Sequence, residues 1–304
     1  MINLNLPDFD LGQRCYGTIV HTRREHPEAF YENTRIASVF GCFHGAIWNG
    51  GSLFLGAMAT RDRVQKLIDY YNYNLGIPIR FTFTNSLITK EQCYDTYCNM
   101  IAECGHNGRN EILVVSPTLE AYLRDKYPNY KYCRSIIAAE NKPYEDDPRY
   151  SLTVMKRIKN NDWEYLDQIP QDIRHKIEFL CTDPCPDNCP RLYTHYRAYA
   201  RAQLGFQSNE QCACTMNDVK GDFINHFART QQTYISREQI EKEYLPRNFS
   251  QFKLSGRGNV SAFTLHTVEY MVKPEYHHDM LSKIFNEYLP SDPYFYNHKL
   301  EFGF

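Results

Sequence analysis

From about residue 52 the chain alternates short apolar runs with longer amphipathic ones, and no other feature narrows its fold as much. Short β-branched and aromatic runs bounded by turn residues form strands, and stretches with a 3.6-residue apolar period form helices, so the alternation predicts β-α units around a parallel sheet. Ser52 to Ala57 reads as a strand. Arg61 to Tyr73 follows as a helix with Val64, Leu67, Ile68 and Tyr71 on one face, and Gly76 as its C-cap. Ile79 to Thr84 is the clearest strand. Thr89 to Glu103 is helical, Glu111 to Val115 is a strand, and Pro117 suits the first turn of a helix over Leu119 to Asp125. Lys131 to Ala138 reads as a strand, Glu140 to Pro148 as an acidic surface loop, and helix resumes near Tyr150. Trp163 to Leu166 and Lys176 to Cys181 are two more strands, and Arg191 to Leu204 is a long helix. Ser236-Arg237-Glu238-Gln239 fits a capping box opening a helix to Tyr244, Gln251 to Leu254 is a strand, and Ala262 to Met271 closes the series. Seven or eight strand-helix pairs favour an α/β fold of the (β/α)8 TIM-barrel type over an open sheet. The expected organisation is an N-terminal segment, residues 1–50, packed on a barrel of residues 51–276, with an aromatic-rich C-terminal extension, residues 277–304.

The 304 residues are 42% hydrophobic and 14% aromatic, enough to bury a core without covalent staples. Lys and Arg number 34 against 36 Asp and Glu, so any binding of nucleic acid or acidic surface must be local. No run approaches the roughly 18 apolar residues of a membrane span, and the first residues lack a basic stretch followed by an apolar one. The expectation is a soluble, cytoplasmic protein. Its 11 cysteines, odd in number and unevenly spaced, suit a reducing compartment with thiols free for metal.

Cys181, Cys185 and Cys189 stand four residues apart, directly after an apolar strand and before the long helix. Soft thiolates bind zinc and iron-sulfur clusters, and Pro184, Pro186 and Pro190 restrict the loop that carries them. Cys212 and Cys214, beyond the helix, are positioned to complete a four-thiolate site. A disulfide, or small buried hydrophobes, are the plainer alternatives. Both a 4Fe-4S cluster and zinc accept four thiolates, and spacing alone leaves the choice open.

Several segments taken together resemble the collagenase-like peptidase family, family U-thirty-two of the peptidase classification. They are Phe81-Thr82-Phe83-Thr84-Asn85, Glu111 to Pro117 with Tyr127-Pro128, Lys131 to Ile137, Glu178 to Cys189, and Phe252-Lys253-Leu254-Ser255-Gly256-Arg257. The likeness covers about residues 50 to 275. It implies a barrel, a cluster held by a cysteine loop plus later cysteines, and oxygen-independent hydroxylation of RNA or quinone precursors, while other members are called peptidases. Ser255 stands where the family usually has an acidic residue, and the cysteine spacings are this chain's own.

Polar residues at the C-terminal ends of barrel strands point into the mouth, which nominates Asn85, Ser116, Ser135, Asp167 and Arg257. Asn85, Asp167 and Arg257 are the catalytic candidates; Arg257 offers a planar fork to carboxylate or phosphate. Trp48-Asn49-Gly50-Gly51 is a turn that lets backbone approach a ligand, so Trp48 and Asn49 join Ser116, Ser135 and His195 as substrate-binding candidates. His195 lies one helical turn from Arg191 and from Tyr199. Arg191 to Arg201 interleaves three arginines with three tyrosines, which suits either base stacking or packing on the barrel. The leading expectation is therefore a barrel enzyme with a cysteine-ligated cluster acting on RNA or a small molecule. The alternatives are a zinc-stapled binding module, and a hydrolase, for which neither a nucleophile-base pair nor a His-Glu-x-x-His helix is present.

Overall fold

The computed structural model describes residues 1–139, 146–183, 191–207, 234–256 and 260–288. Eight parallel strands close into a barrel in sequence order: β1 Ile2–Pro7, β2 Thr34–Gly41, β3 Ile79–Phe83, β4 Glu111–Val114, β5 Lys131–Arg134, β6 Leu152–Val154, β7 Ile177–Leu180 and β8 Gln251–Lys253. Asn3, Leu4 and Asn5 of β1 pair with Gln251, Phe252 and Lys253 of β8, which removes both sheet edges. The expected fold is present, but its start is not where the apolar runs suggested. Residues 1–50 supply β1 and β2 and the helix between them, α1 Gln13–Glu25.

In β1 the apolar Ile2, Leu4 and Leu6 join the main core, while Asn3 and Asn5 face the other way. A register shift between Leu4 and Asn5 sets Asn5 opposite Ser38 of β2. The helical layer outside the barrel continues with α2 Arg61–Asp69, α3 Thr96–Gly105, α4 Pro117–Lys126, α5 Ile136–Ala139, α6 Trp163–Leu166, α7 Leu192–Gln203, α8 Arg237–Gln239, α9 Val260–Met271 and α10 His277–Tyr288. Local signals set the ends. Thr60 caps α2 by accepting from Arg63 N, and Gly76, at φ 74°, ends the turn that prolongs it. Ser236 and Gln239 form the reciprocal capping box at α8. The last helix among the described residues, α10, lies against α1, where Lys283 Nζ donates to Thr22 Oγ1 at 2.9 Å.

Four expected elements differ. Ser52 to Ala57 is a loop, because β2 already fills the place between β1 and β3, and the side chain of Gln203 bridges the N–H and C=O of Phe54 instead. The strand Lys131 to Ala138 stops at Arg134, and Ser135 opens a helical turn by accepting from Ile137 N. Helix does not resume at Tyr150; the three-residue β6 follows. Trp163 to Leu166 is helical, with Asp162 accepting from Tyr165 N at its start and Trp163 packed edge-on against Tyr244.

Candidate functional site

Alternation along eight strands sends one set of side chains outward to the helices and the other into the barrel. Arg80 of β3 belongs to the inner set. Its guanidinium donates to Glu111 Oε2 at 2.6 Å, to Glu178 Oε1 at 2.5 Å and to Asn5 Oδ1 at 3.3 Å, and so joins β4, β7 and β1 through the interior. Asn5 Oδ1 also accepts from Ser38 Oγ at 2.6 Å. Arg80, Asn5 and Glu178 are fully buried. Burial alone would pull the guanidinium down, but Glu178, Cys133 and Glu111 outweigh it and hold Arg80 well above the ordinary arginine value. It is permanently charged.

Lys253 of β8 adds a second cation, with Nζ 3.8 Å from the centre of the Phe40 ring. The other half of the interior is apolar, made by Leu113, Cys133, Leu152, Val154 and Leu180. The Cys133 thiol, buried beside Glu111 and Ser151, is pushed up to about 12 by burial. Arg80 settles the orientation of the Asn5 amide, since a reversed amide would point NH2 at the guanidinium. Asn5 Nδ2 is therefore a donor without a hydrogen-bond partner among the described residues, and Glu178 Oε2 is an acceptor in the same position. Thr84 Oγ1, just past β3, is a third buried polar atom of this kind.

At the C-terminal end of the barrel the expected residues divide sharply. Asn85 is buried and fully engaged: Nδ2 donates to Ile47 O and Ala200 O, and Oδ1 accepts from Leu87 N. It joins β3 to α7 and has no donor left for a substrate. The Trp48-Asn49-Gly50-Gly51 turn does permit a close approach, but to the chain itself, because a Cβ on Gly50 would lie 2.5 Å from Asn85 Cα. Trp48 is buried against Phe83 and donates Nε1 to Gln92 O. Asn49 reaches the inner face, where its Oδ1 accepts from Thr82 Oγ1 at 2.9 Å. Ser116 caps α4, and Ser135 caps the turn after β5.

Asp167 lies at the other end of the barrel. Its carboxylate pairs with Arg247, which precedes β8, at 3.2 Å, and stands 3.8 Å from Arg174, which precedes β7. The expected position at the mouth is corrected, because the segment taken for a strand is α6. His195 packs against Tyr199 with ring centres 4.2 Å apart and planes tilted by 56°, one helical turn apart as the spacing implies. The inward residues of α7 are Leu192, Ala198, Ala200 and Gln203, rather than its tyrosines. Arg257 lies outside the described residues.

Of the five cysteines expected to bind metal, Cys185, Cys189, Cys212 and Cys214 also lie outside the described residues. Cys181 is described and fits the role poorly. One residue past the inward Leu180, it turns outward into the main core, fully buried, with its Sγ near Phe179 O. Burial pushes its thiol well above the ordinary value, opposite to what a ligand thiolate requires. Among the described residues, no three His, Cys, Asp or Glu side chains are grouped to hold a metal, and the seven described cysteines are buried.

Two further charged residues mark the mouth between β6 and β7. Arg157, 1% exposed, donates NH1 to Asp183 Oδ2 at 3.1 Å, and Asn160 Nδ2 donates to Leu180 O at 2.7 Å. Thr182 Oγ1 accepts from Ser255 N at 2.8 Å, tying the end of β7 to the end of β8. Sequence reasoning missed Arg80, Glu178, Asn5 and Arg157. A usable signal was present in Ile79-Arg80-Phe81-Thr82-Phe83 and Ile177-Glu178-Phe179-Leu180, where charge interrupts runs that a parallel barrel would otherwise make wholly apolar.

The fold and interior define an α/β barrel with a buried ionic network. No family model, no curated protein and no solved structure matches the chain. The barrel implied by the resemblance is present, and no match supports membership of the collagenase-like peptidase family. Among the described residues, no helix is long and apolar enough to cross a membrane.

Proposed function

We propose that the chain is a barrel enzyme whose reactants meet at the C-terminal mouth, where a cysteine-ligated 4Fe-4S cluster supports oxygen-independent hydroxylation or a related redox step. The observation that carries the enzyme reading is the Arg80, Glu178, Glu111 and Asn5 network. Desolvating buried charges costs several kcal/mol per ion, and apolar side chains of similar size often serve stability as well or better. A charged network inside the barrel is better explained by work than by stability. The poor fit of Cys181 leaves Cys185, Cys189, Cys212 and Cys214 as the four thiolates that would hold the cluster. When bound, a cluster of this kind supplies or accepts single electrons.

The chain's own residues have separable tasks in this reading. Arg157 fixes Asp183, the described residue just before the first cysteine-bearing stretch, and Ile235 N donates to Cys181 O next to the end of the second. The described residues flanking the two stretches therefore share one edge of the barrel. In this reading Lys253, Asn5 and Glu178 orient the substrate, while Asn85 is a joint and Asp167 lies at the far end. The substrate is a small molecule or an RNA nucleotide, and exposed Arg197 and Arg201 on α7 suit the second.

Anaerobically purified protein should be brown, contain about four irons per chain as a 4Fe-4S cluster requires, and lose its visible absorbance in Cys185→Ser and Cys189→Ser. Cys181→Ser should keep its colour. Colourless protein with stoichiometric zinc would replace the redox reading with a zinc-stapled module.

A further inference from the structure

A cleft of about 520 Å³, the size of a small-molecule site, opens in the outer helical layer between α3 and the end of α4. Thr96, Asn99, Met100 and Glu103 follow helical spacing along one face of α3, and Tyr122, Lys126 and Tyr127 come from α4 and its cap. Arg61, at the start of α2, and Tyr94, just ahead of α3, complete the lining with His106.

Asn99 organises the donors of this cleft. Its Nδ2 donates to Cys93 O and Asp95 O, which fixes the amide, so Oδ1 accepts from Tyr122 Oη at 2.7 Å, Tyr127 Oη at 2.9 Å and Lys126 Nζ at 2.9 Å. Three donors converge on an oxygen with two lone pairs. Lys126 Nζ also donates to Tyr122 Oη at 3.0 Å and stands 5.4 Å from the centre of each tyrosine ring. Ordering an exposed lysine costs rotamer entropy, and here the bonds that offset it run to neutral oxygens. Those two oxygens serve an ammonium with three N–H groups, so a donor and its charge remain for a ligand.

The rest of the lining narrows the ligand. Arg61 and Lys126 face one carboxylate, Glu103, which Arg61 engages at Oε2. His106 Nε2 accepts from Asn129 N at 3.0 Å, which places the ring proton on Nδ1 as a further donor. An acceptor-rich anion such as phosphate meets this donor surplus. Tyr94 is 70% exposed, so at least one face of its ring is uncovered, and edge-on contact with Tyr122, itself edge-on to Trp48, ties it to the barrel. An exposed ring beside cations suits a planar base. Glu103 Oε1, the oxygen not bonded to Arg61, accepts from a hydroxyl or amine. A nucleotide carries such donors, and the ring of a phosphorylated phenol does not.

We propose that this cleft binds a nucleoside monophosphate, free or as one unit of a single RNA strand, with its phosphate at Lys126, its base on Tyr94 and a ribose hydroxyl or base amine at Glu103. The site goes beyond the reaction read at the mouth and needs neither that reading nor a cluster.

Titration calorimetry on the purified full chain tests this with AMP and a short oligoadenylate, against adenosine, inorganic phosphate and O-phosphotyrosine. The tighter of the two nucleotide probes should bind at least about tenfold more tightly than each of the other three. Tighter AMP assigns the free nucleotide, and tighter oligoadenylate assigns the strand. Lys126→Ala should weaken that binding about tenfold or more, and Tyr94→Ala about fivefold or more. Tyr94→Phe keeps the ring and should bind as the parent does, and Lys242→Ala, an exposed lysine ahead of β8, should stay within about twofold. Absence of binding by both nucleotide probes, or full binding in Lys126→Ala or Tyr94→Ala, overturns the proposal. Equal binding of O-phosphotyrosine also overturns it, in favour of a phosphorylated aromatic side chain. Equal weakening by Lys242→Ala and Lys126→Ala reduces it to diffuse attraction and overturns it too. Brown protein that binds neither nucleotide probe refutes this site alone, and colourless protein that binds one refutes the redox reading alone.

Discussion

The two halves of the barrel interior are built on opposite principles. On one side Asn5, Ser38, Arg80 and Glu178 form a hydrogen-bonded ionic network, and on the other Leu113, Cys133, Leu152, Val154 and Leu180 pack as an ordinary core. The strands are continuous around the ring, so the backbone does not account for the contrast. It is a choice of side chain, and the apolar half shows what the fold accepts where nothing but packing is asked of it.

Breaking the network from one side should have the largest effect. Glu178→Ala leaves Arg80 short of a buried counter-charge, and unfolding in urea should show a loss of about 3–5 kcal/mol. A loss under about 1 kcal/mol would mean that water reaches the network freely. In the apolar half, Leu152→Ala should cost about 2–5 kcal/mol from lost burial and the cavity left behind. A cost under about 1 kcal/mol would mean that this half is not packed as a core.

At the rim, Gly50→Ala should cost about 1–3 kcal/mol, because the new Cβ meets backbone atoms of Thr84 and Asn85 rather than a movable side chain. Thermal unfolding checks it. The smallest effect is one of pH. Cys133 stands at about 12 in the folded chain against an ordinary value of 9.0, so neither state ionises it well below pH 9. Between about 9 and about 12 the unfolded chain loses the proton and the folded chain keeps it. Its contribution therefore makes stability fall as pH rises through that window. Cys133→Ala should flatten that slope in urea titrations from pH 8 to 10. At pH 8, native protein treated with iodoacetamide should be unmodified at Cys133 and Cys181 by peptide mass spectrometry.

The barrel was legible where strand and helix carried distinct periods, as at Ile79–Phe83 and over Val64, Leu67, Ile68 and Tyr71. It was not legible in β1, although Ile2, Leu4 and Leu6 alternate strictly with Asn3 and Asn5, because alternation signals a strand with one wet face and parallel barrel strands are usually apolar on both. The same fact hid the site. Asn5, Arg80 and Glu178 lie within strands, where polar residues have no expected role, whereas functional side chains are expected at strand ends. There Asn85, Ser116 and Ser135 turned out to be joints and caps. Asp167 was misplaced by one wrong assignment, since four residues capped by Asp162 became α6, and its partners Arg174 and Arg247 put it at the far end.

The central claim is that the ionic half of the interior exists for a ligand rather than for stability. The triple replacement Arg80→Met, Glu111→Leu and Glu178→Leu, which removes every charge of the network together, measured by urea unfolding, tests it most directly. The account predicts a protein as stable as the parent to within about 1 kcal/mol, or more stable. A triple variant destabilised by several kcal/mol would contradict it.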